Sequence, residues 1–258
     1  MRIKFFIAVA VLCSLFVLNA CGVTYPKETL IESLEALVLK ESGVEAKVFL
    51  AGQTLYLDLE LDDLVSKEQQ KVYDATMKMQ SGLSSITRVV LSSDAEVKYM
   101  AVNAFDSKKN ILLRAVMGIE DVKNYFYQRI SHDDYMSRSI FEFESSASAA
   151  QSVDDKHDIS VNEFVGRMIL SQMNVISRKD TQIGTLIYML QLKYEDVDSE
   201  KNLILSAASD IGVEKDSVIS AALMEEVKKY SQKYGLGFKN VILVNRNNNS
   251  VIEMPVNM

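Results

Sequence analysis

The sequence predicts an α+β chain of two helix-strand-strand-helix-strand-strand units, each an antiparallel sheet covered by helices on one face. Three observations lead there. Apolar residues recur at helical spacing and then at every second position, polar turn clusters separate the alternating runs, and this succession occurs twice. No residue-level repeat accompanies it, so only the architecture is shared.

The elements follow in order. Pro26 suits a first helical turn, and Leu30, Leu34, Leu37 and Val38 then mark one buried stripe up to Gly43. Residues 44–50 and 54–61 read as strands around Gly52. In the second, Leu55, Leu57, Leu59 and Leu61 point inward and Tyr56, Asp58 and Glu60 outward, as in a sheet with one solvated face. A longer helix over 66–91 carries Val72, Ala75, Met79, Leu83, Ile86 and Val90, with Gly82 as a possible break. Residues 97–105 and 111–117 flank the polar turn 106–110 as a hairpin. Two short helices, over 119–129 and 131–139, close the first half.

Residues 145–158 hold Ser, Ala and Asp with almost no large apolar side chain, so little offsets the entropy of ordering them. A flexible linker over 145–159 is therefore expected between domains at 27–144 and 160–258, the alternative being one composite domain if the two sheets join. Beyond it, Val161, Phe164, Val165, Met168, Ile169 and Ile176 mark a helix, and 185–195 with 202–208 a hairpin. Ile219, Leu223, Val227, Tyr230 and Tyr234 mark a second helix, stopped by Gly235 and Gly237. A tight hairpin from 241 to 254 turns at Asn247-Asn248-Asn249.

The amino terminus reads differently. Arg2 and Lys4 precede an uncharged, mostly apolar run over 5–18, shorter than the roughly 20 residues that cross a bilayer. Leu18-Asn19-Ala20-Cys21 closes it and resembles the lipobox of bacterial lipoproteins. The resemblance implies that residues 1–20 are a signal peptide, that Cys21 is lipidated, and that the chain is anchored to a membrane of the bacterial cell envelope, facing periplasm or exterior. Gly22, rather than Asp, after the cysteine implies the outer membrane where two membranes exist. Residues 21–26 then form a short tether, roughly 17 Å when extended.

Composition narrows the chemistry. Losing Arg2 and Lys4 with the leader makes a formal charge of −7 more negative by two, and an acidic body is a poor nucleic-acid partner. Cys13 leaves with the leader and Cys21 is taken up by lipid, so no thiol remains for a disulfide, a thiolate metal site or a nucleophile. Hydrophobic residues make up 48% of the chain, enough for one or two ordinary cores.

No G-x-G-x-x-G, P-loop, G-x-S-x-G or H-E-x-x-H pattern is present. His132 with Asp133 and Asp134, and His157 among Asp154, Asp155 and Asp158, offer metal-ligand types but read as solvated turns. Asp196, Asp198 and Glu200 begin like a calcium loop, yet Lys201 stands where Gly is needed and Ala207 where Glu is needed. Tyr125, Phe126, Tyr127 and Tyr135 read as core packing before a docking ledge. No cofactor and no metal is therefore expected. The leading expectation is a non-catalytic structural or interaction lipoprotein that contacts an envelope protein or polymer. Two alternatives stay open: an enzyme using paired carboxylates on an envelope polymer, and a module holding a small apolar ligand.

Overall fold

The computed structural model describes residues 25–145, 149–179, 192–207 and 218–256. Residues 18–21, read as a lipobox, part of the strand expected over 185–195, and the last residue of the strand expected over 202–208 lie outside the described residues. The α+β class and the twofold succession of elements are present.

In the first half, α1 (Leu30–Ser42) precedes β1 (Ala46–Ala51) and β2 (Thr54–Glu60), and α2 (Gln69–Leu91) leads to β3 (Tyr99–Asp106) and β4 (Ile111–Gly118). Leu34 and Val38 of α1 are fully buried, and Gly43, at φ +68°, ends the helix with its N–H on the Leu39 carbonyl. Gly82 does not break α2. A Cβ there would lie 2.8 Å from Leu59 Cδ1, so its bare backbone lets the helix approach β2 closely.

Short helices α3 (Ile119–Phe126) and α4 (His132–Ser137) follow, then β5 (Ile140–Ser145), a strand the sequence reading lacked. The five-stranded sheet runs β1-β2-β3-β4-β5. Its hairpins are antiparallel, but β2 and β3 pair in parallel, against the expectation of a wholly antiparallel sheet. The reason is α2, which carries the chain back to the end where β2 began, so β3 must start there too.

The second half repeats the device. After α5 (Ala149–Asp154), α6 (Val161–Lys179) precedes β6 (Lys193–Val197) and β7 (Asn202–Ala207), and α7 (Val218–Tyr234) leads to β8 (Asn240–Asn245) and β9 (Val251–Pro255). The four strands lie in sequence order with β7 and β8 parallel.

Coverage of the first sheet also departs from expectation. Leu55, Leu57, Leu59, Met100, Val102 and Met117 pack under α1 and α2. Tyr56, Tyr99, Ala101, Val116 and Ile140, on the opposite face, share a core with Phe164, Val165 and Met168 of α6 and with Leu223, Val227 and Tyr230 of α7. The sheet is buried on both faces, and Tyr56 is only 2% exposed. Helix α6 meets the second sheet on its other side, where Gly166 leaves room for the Tyr194 ring and Leu203.

Residues 149–159, the described part of the expected linker beyond β5, are accordingly not loose. Helix α5 lies on β3 and β4 with Ala149 fully buried, and Ile159 is 3% exposed. The segment runs back along β2 and is fastened to it: Tyr56 Oη donates to the His157 carbonyl at 2.8 Å, and Ile159 N–H to Thr54 Oγ1 at 2.9 Å. Polar composition misled the reading because hydrogen bonds to β2 add to the burial of Ala149 and Ile159 in holding the segment.

Candidate site: a charged cross-strand row opening into a cleft

Register places five polar side chains in one line. Lys47 stands opposite Asp58, Asp58 opposite Asn103, Asn103 opposite Arg114, and Arg114 opposite Glu142, crossing all five strands on the face toward α6. The inner members are bonded in series. Asn103 Nδ2 donates to Asp58 Oδ1 at 2.7 Å, and Arg114 Nε donates to Asn103 Oδ1 at 2.7 Å.

The segment above this row adds the remaining partners. Lys156 Nζ lies 3.0 Å from Asp58 Oδ2, and Arg114 also donates to the Ser152 carbonyl. From α6, Arg167 grips Glu142 with two bonds of 2.9 and 2.6 Å and reaches Glu163 at 3.1 Å. His157 Nε2 meets the Glu163 carboxylate at 2.9 Å and its Nδ1 meets Asp155 at 3.2 Å. One connected network thus runs from Lys156 to His157.

Its electrostatics follow from burial and pairing. Burial opposes ionisation of Glu142, but Arg167 and Arg114 hold its carboxyl below the usual range. Burial and the nearby Arg167 charge lower the Arg114 guanidinium, whereas Glu142 and Glu163 outweigh burial and raise Arg167. Burial alone would lower His157, yet Glu163 and Asp155 prevail and raise it. Tyr56 is pushed up by burial.

At the Asp58 end the row opens into a cleft of about 930 Å³. Its wall combines the start of β1, the end of β2, the first turns of α2 and the β3–β4 turn. Lysines and carboxylates alternate around it: Lys108 pairs with Asp62 at 2.7 Å, and Lys109, just behind, with Asp63 at 2.8 Å. The Lys156 ammonium also sits 5.2 Å from the Tyr56 ring centre and 5.7 Å from that of Phe49, which is 42% exposed. Every described carboxyl group with a resolved shift, Glu41, Asp63, Asp134, Glu142 and Asp198, is displaced downward by its partners. Those five are ionised near neutral pH and suited to ion pairing rather than to donating a proton.

The candidates from sequence are distributed as follows. Tyr56 and Asp58, expected to face solvent, lie beneath the 149–159 segment, and Glu60 lines the cleft. His157 joins the network, while His132 is exposed, 3.7 Å from Asp133. Among the described residues, no group of three or more His, Cys, Asp or Glu side chains is placed to hold a metal. Asp198 closes the β6–β7 turn by accepting from Glu200 N–H, Asn202 N–H and Asn202 Nδ2, each at 2.9 Å.

The aromatic group is core only in part: Tyr135 packs against the core under α1 and α2, whereas Phe126 and Tyr127 do not, contrary to expectation. Tyr125 stacks on Tyr135 at 4.7 Å, but Phe126, in the last turn of α3 on the same stripe as Ile119 and Val122, is 59% exposed, and Tyr127, just past the helix, is 69% exposed. Sequence reasoning missed Asn103, Arg114, Glu142 and Arg167. The available signal was Arg114 inside the otherwise apolar run Ile-Leu-Leu-Arg-Ala-Val-Met.

The cleft and Tyr25, the first described residue, lie at opposite ends of the first sheet. Tyr25 N–H bonds the Ser92 carbonyl and Lys27 N–H bonds Asp94 Oδ1, just past the end of α2 and next to the start of β3. The cleft lies at the finish of β2, a strand of seven residues, or about 23 Å. Comparison of the chain with protein-family models, with curated proteins and with solved structures returns no match.

Proposed function

We propose that the chain is a non-catalytic lipoprotein of the bacterial cell envelope, anchored through acyl chains on Cys21, which contacts another envelope component through the charged cleft. The supporting observation is the placement of the cleft at the end of the sheet away from Tyr25, where the tether begins. A body anchored at one end presents its opposite end to whatever lies beyond the membrane surface. Partners of mixed charge suit the cleft, since its own lysines and carboxylates alternate.

The carboxylate-enzyme alternative needs a protonated acid facing an ionised one, and Asp63, the cleft acid with a resolved shift, is displaced the other way. A buried apolar ligand suits the cleft no better, because charged side chains line it.

Metabolic labelling with a clickable fatty acid tests the anchor: wild type is expected to take up label and Cys21→Ala to lose it. A photocrosslinking side chain at Lys47, compared with one at Val251 on the second sheet, tests the cleft. A discrete adduct from Lys47 alone is expected. Equal labelling of wild type and Cys21→Ala removes the anchor, and matching adducts from both positions remove the cleft as the contact.

A further inference from the structure

The end of the molecule near the tether carries exposed aromatic side chains that the cleft and its ion-pair network leave unused. Helix α3 lies across that end. Gly118, just before it, pairs with Tyr99 at the start of β3, and Ile119 N–H bonds the Lys98 carbonyl at 2.8 Å. The helix grips both sides of the sheet. Ile119 and Val122 enter the core under α1 and α2, while Asp121, on the α7 side, accepts from Tyr234 Oη at 2.8 Å and Arg138 at 2.7 Å. Phe126 continues the stripe of Ile119 and Val122 into the last turn of α3, where it is exposed together with Lys123 and with Tyr127 just past the helix.

The turn after α3 is fixed in place. Tyr125 stacks on Tyr135, whose hydroxyl lies 2.9 Å from Met117 Sδ, next to the end of β4. The Arg129 guanidinium stands 5.4 Å from the Tyr127 ring centre. Ile31, in the first turn of α1 at the same end, is 40% exposed.

What covers this surface follows from the length of chain between Cys21 and Tyr25. Those four steps extend to about 14 Å at most, so lipid attached at Cys21 holds Tyr25, and the end of the sheet with it, close to the bilayer. We propose that α3 and the turn after it seat the folded body on the lipid surface, with Phe126 and Tyr127 entering the headgroup region; this rests on the Cys21 anchor proposed above. Aromatic rings of this kind partition at membrane interfaces, and basic side chains beside them reach to the headgroups with their stems against apolar surface. The acidic charge of the chain gives no general attraction to anionic lipid, so the fitting surface is zwitterionic. Seating fixes the tilt of the body and directs the cleft away from the membrane.

The chain has no tryptophan, so one introduced residue reports alone. The lipidated full chain carrying Phe126→Trp, Tyr127→Trp or Tyr73→Trp is reconstituted into phosphatidylcholine vesicles with brominated acyl chains. Tyr73 is 58% exposed and lies about 27 Å along α2 from its tether end. Emission from positions 126 and 127 is expected to shift to the blue and to lose most of its intensity, and that from position 73 to keep the spectrum it has in water. Flotation with vesicles but no selective quenching at 126 and 127 overturns the seat and leaves the anchor standing. Failure to float overturns the anchor, and the seat falls with it.

Discussion

Gly52 shows how a single missing side chain joins distant parts of the sequence. It occupies the first position of the two-residue turn between β1 and β2 at φ +58°, and a Cβ there would overlap the Asp158 carboxyl. That carboxyl accepts from Gln53 N–H at 2.9 Å and from Thr54 Oγ1 at 3.3 Å, so it cannot swing aside without leaving both donors unpaired. Gly43 has a similar φ of +68° but open space where its Cβ would stand. Gly52→Ala is therefore expected to cost about 3 kcal/mol, backbone strain plus lost hydrogen bonds, and Gly43→Ala about 1–2 kcal/mol, backbone strain alone. Urea titration of both variants measures the difference. Equal midpoints would show that Asp158 does not depend on the missing Cβ.

Among the elements, the segment leading from α5 into α6 carries a pH dependence through His157. The groups facing the imidazole are Glu163 from α6 and Asp155 from its own segment, with Arg167 one bond further on. Because the folded protein raises the His157 pKa, its contribution to stability is complete below about pH 6.5, the unfolded value, and is lost as pH rises through the folded value. Unfolding free energy measured from about pH 6 to 9 is expected to contain a falling component that His157→Gln removes. The imidazole is 44% exposed, so 1 M salt should flatten that component. An unchanged slope in His157→Gln would detach this network from stability. Elements and network were unequally legible. Leu30, Leu34 and Val38, or Leu55, Leu57 and Leu59, announce their faces through local period, and those assignments hold. Strand β5 also alternates, Ile140, Glu142 and Glu144 against Phe141 and Phe143, but it stands beside a Ser-rich stretch that obscured it. The row from Asp58 to Glu142 has no local signature. Its members are spread over 85 positions, and only strand order and register, set by the α2 crossover, bring them side by side.

For the whole molecule, the decisive packing is that of α6 between the two sheets. The sequence left open whether the two sheets stand apart or join in one composite domain, and the second half supplies the cover that the first sheet lacks. Phe164 is the central contact. It is 1% exposed, packs tilted against Tyr99 of β3 at 4.8 Å between ring centres, meets Tyr234 of α7 edge-on at 6.2 Å, and lies 3.8 Å from where a Gly118 Cβ would be. Removing the ring takes support from both halves at once. Phe164→Ala is expected to cost about 3–5 kcal/mol, typical for a large cavity in a core that cannot collapse. Domains sharing such a core unfold together, so urea titration of wild type should give one transition whichever half is probed. Tryptophan reporters at Tyr73 in α2 and at Val251 in β9, both exposed, read the halves separately. Coincident midpoints that move together in Phe164→Ala identify α6 as the joint of one cooperative unit. If instead the Val251 reporter alone moves, the first sheet is stable without its cover, and the burial of Tyr56, Tyr99 and Val116 follows folding of the first half rather than driving it.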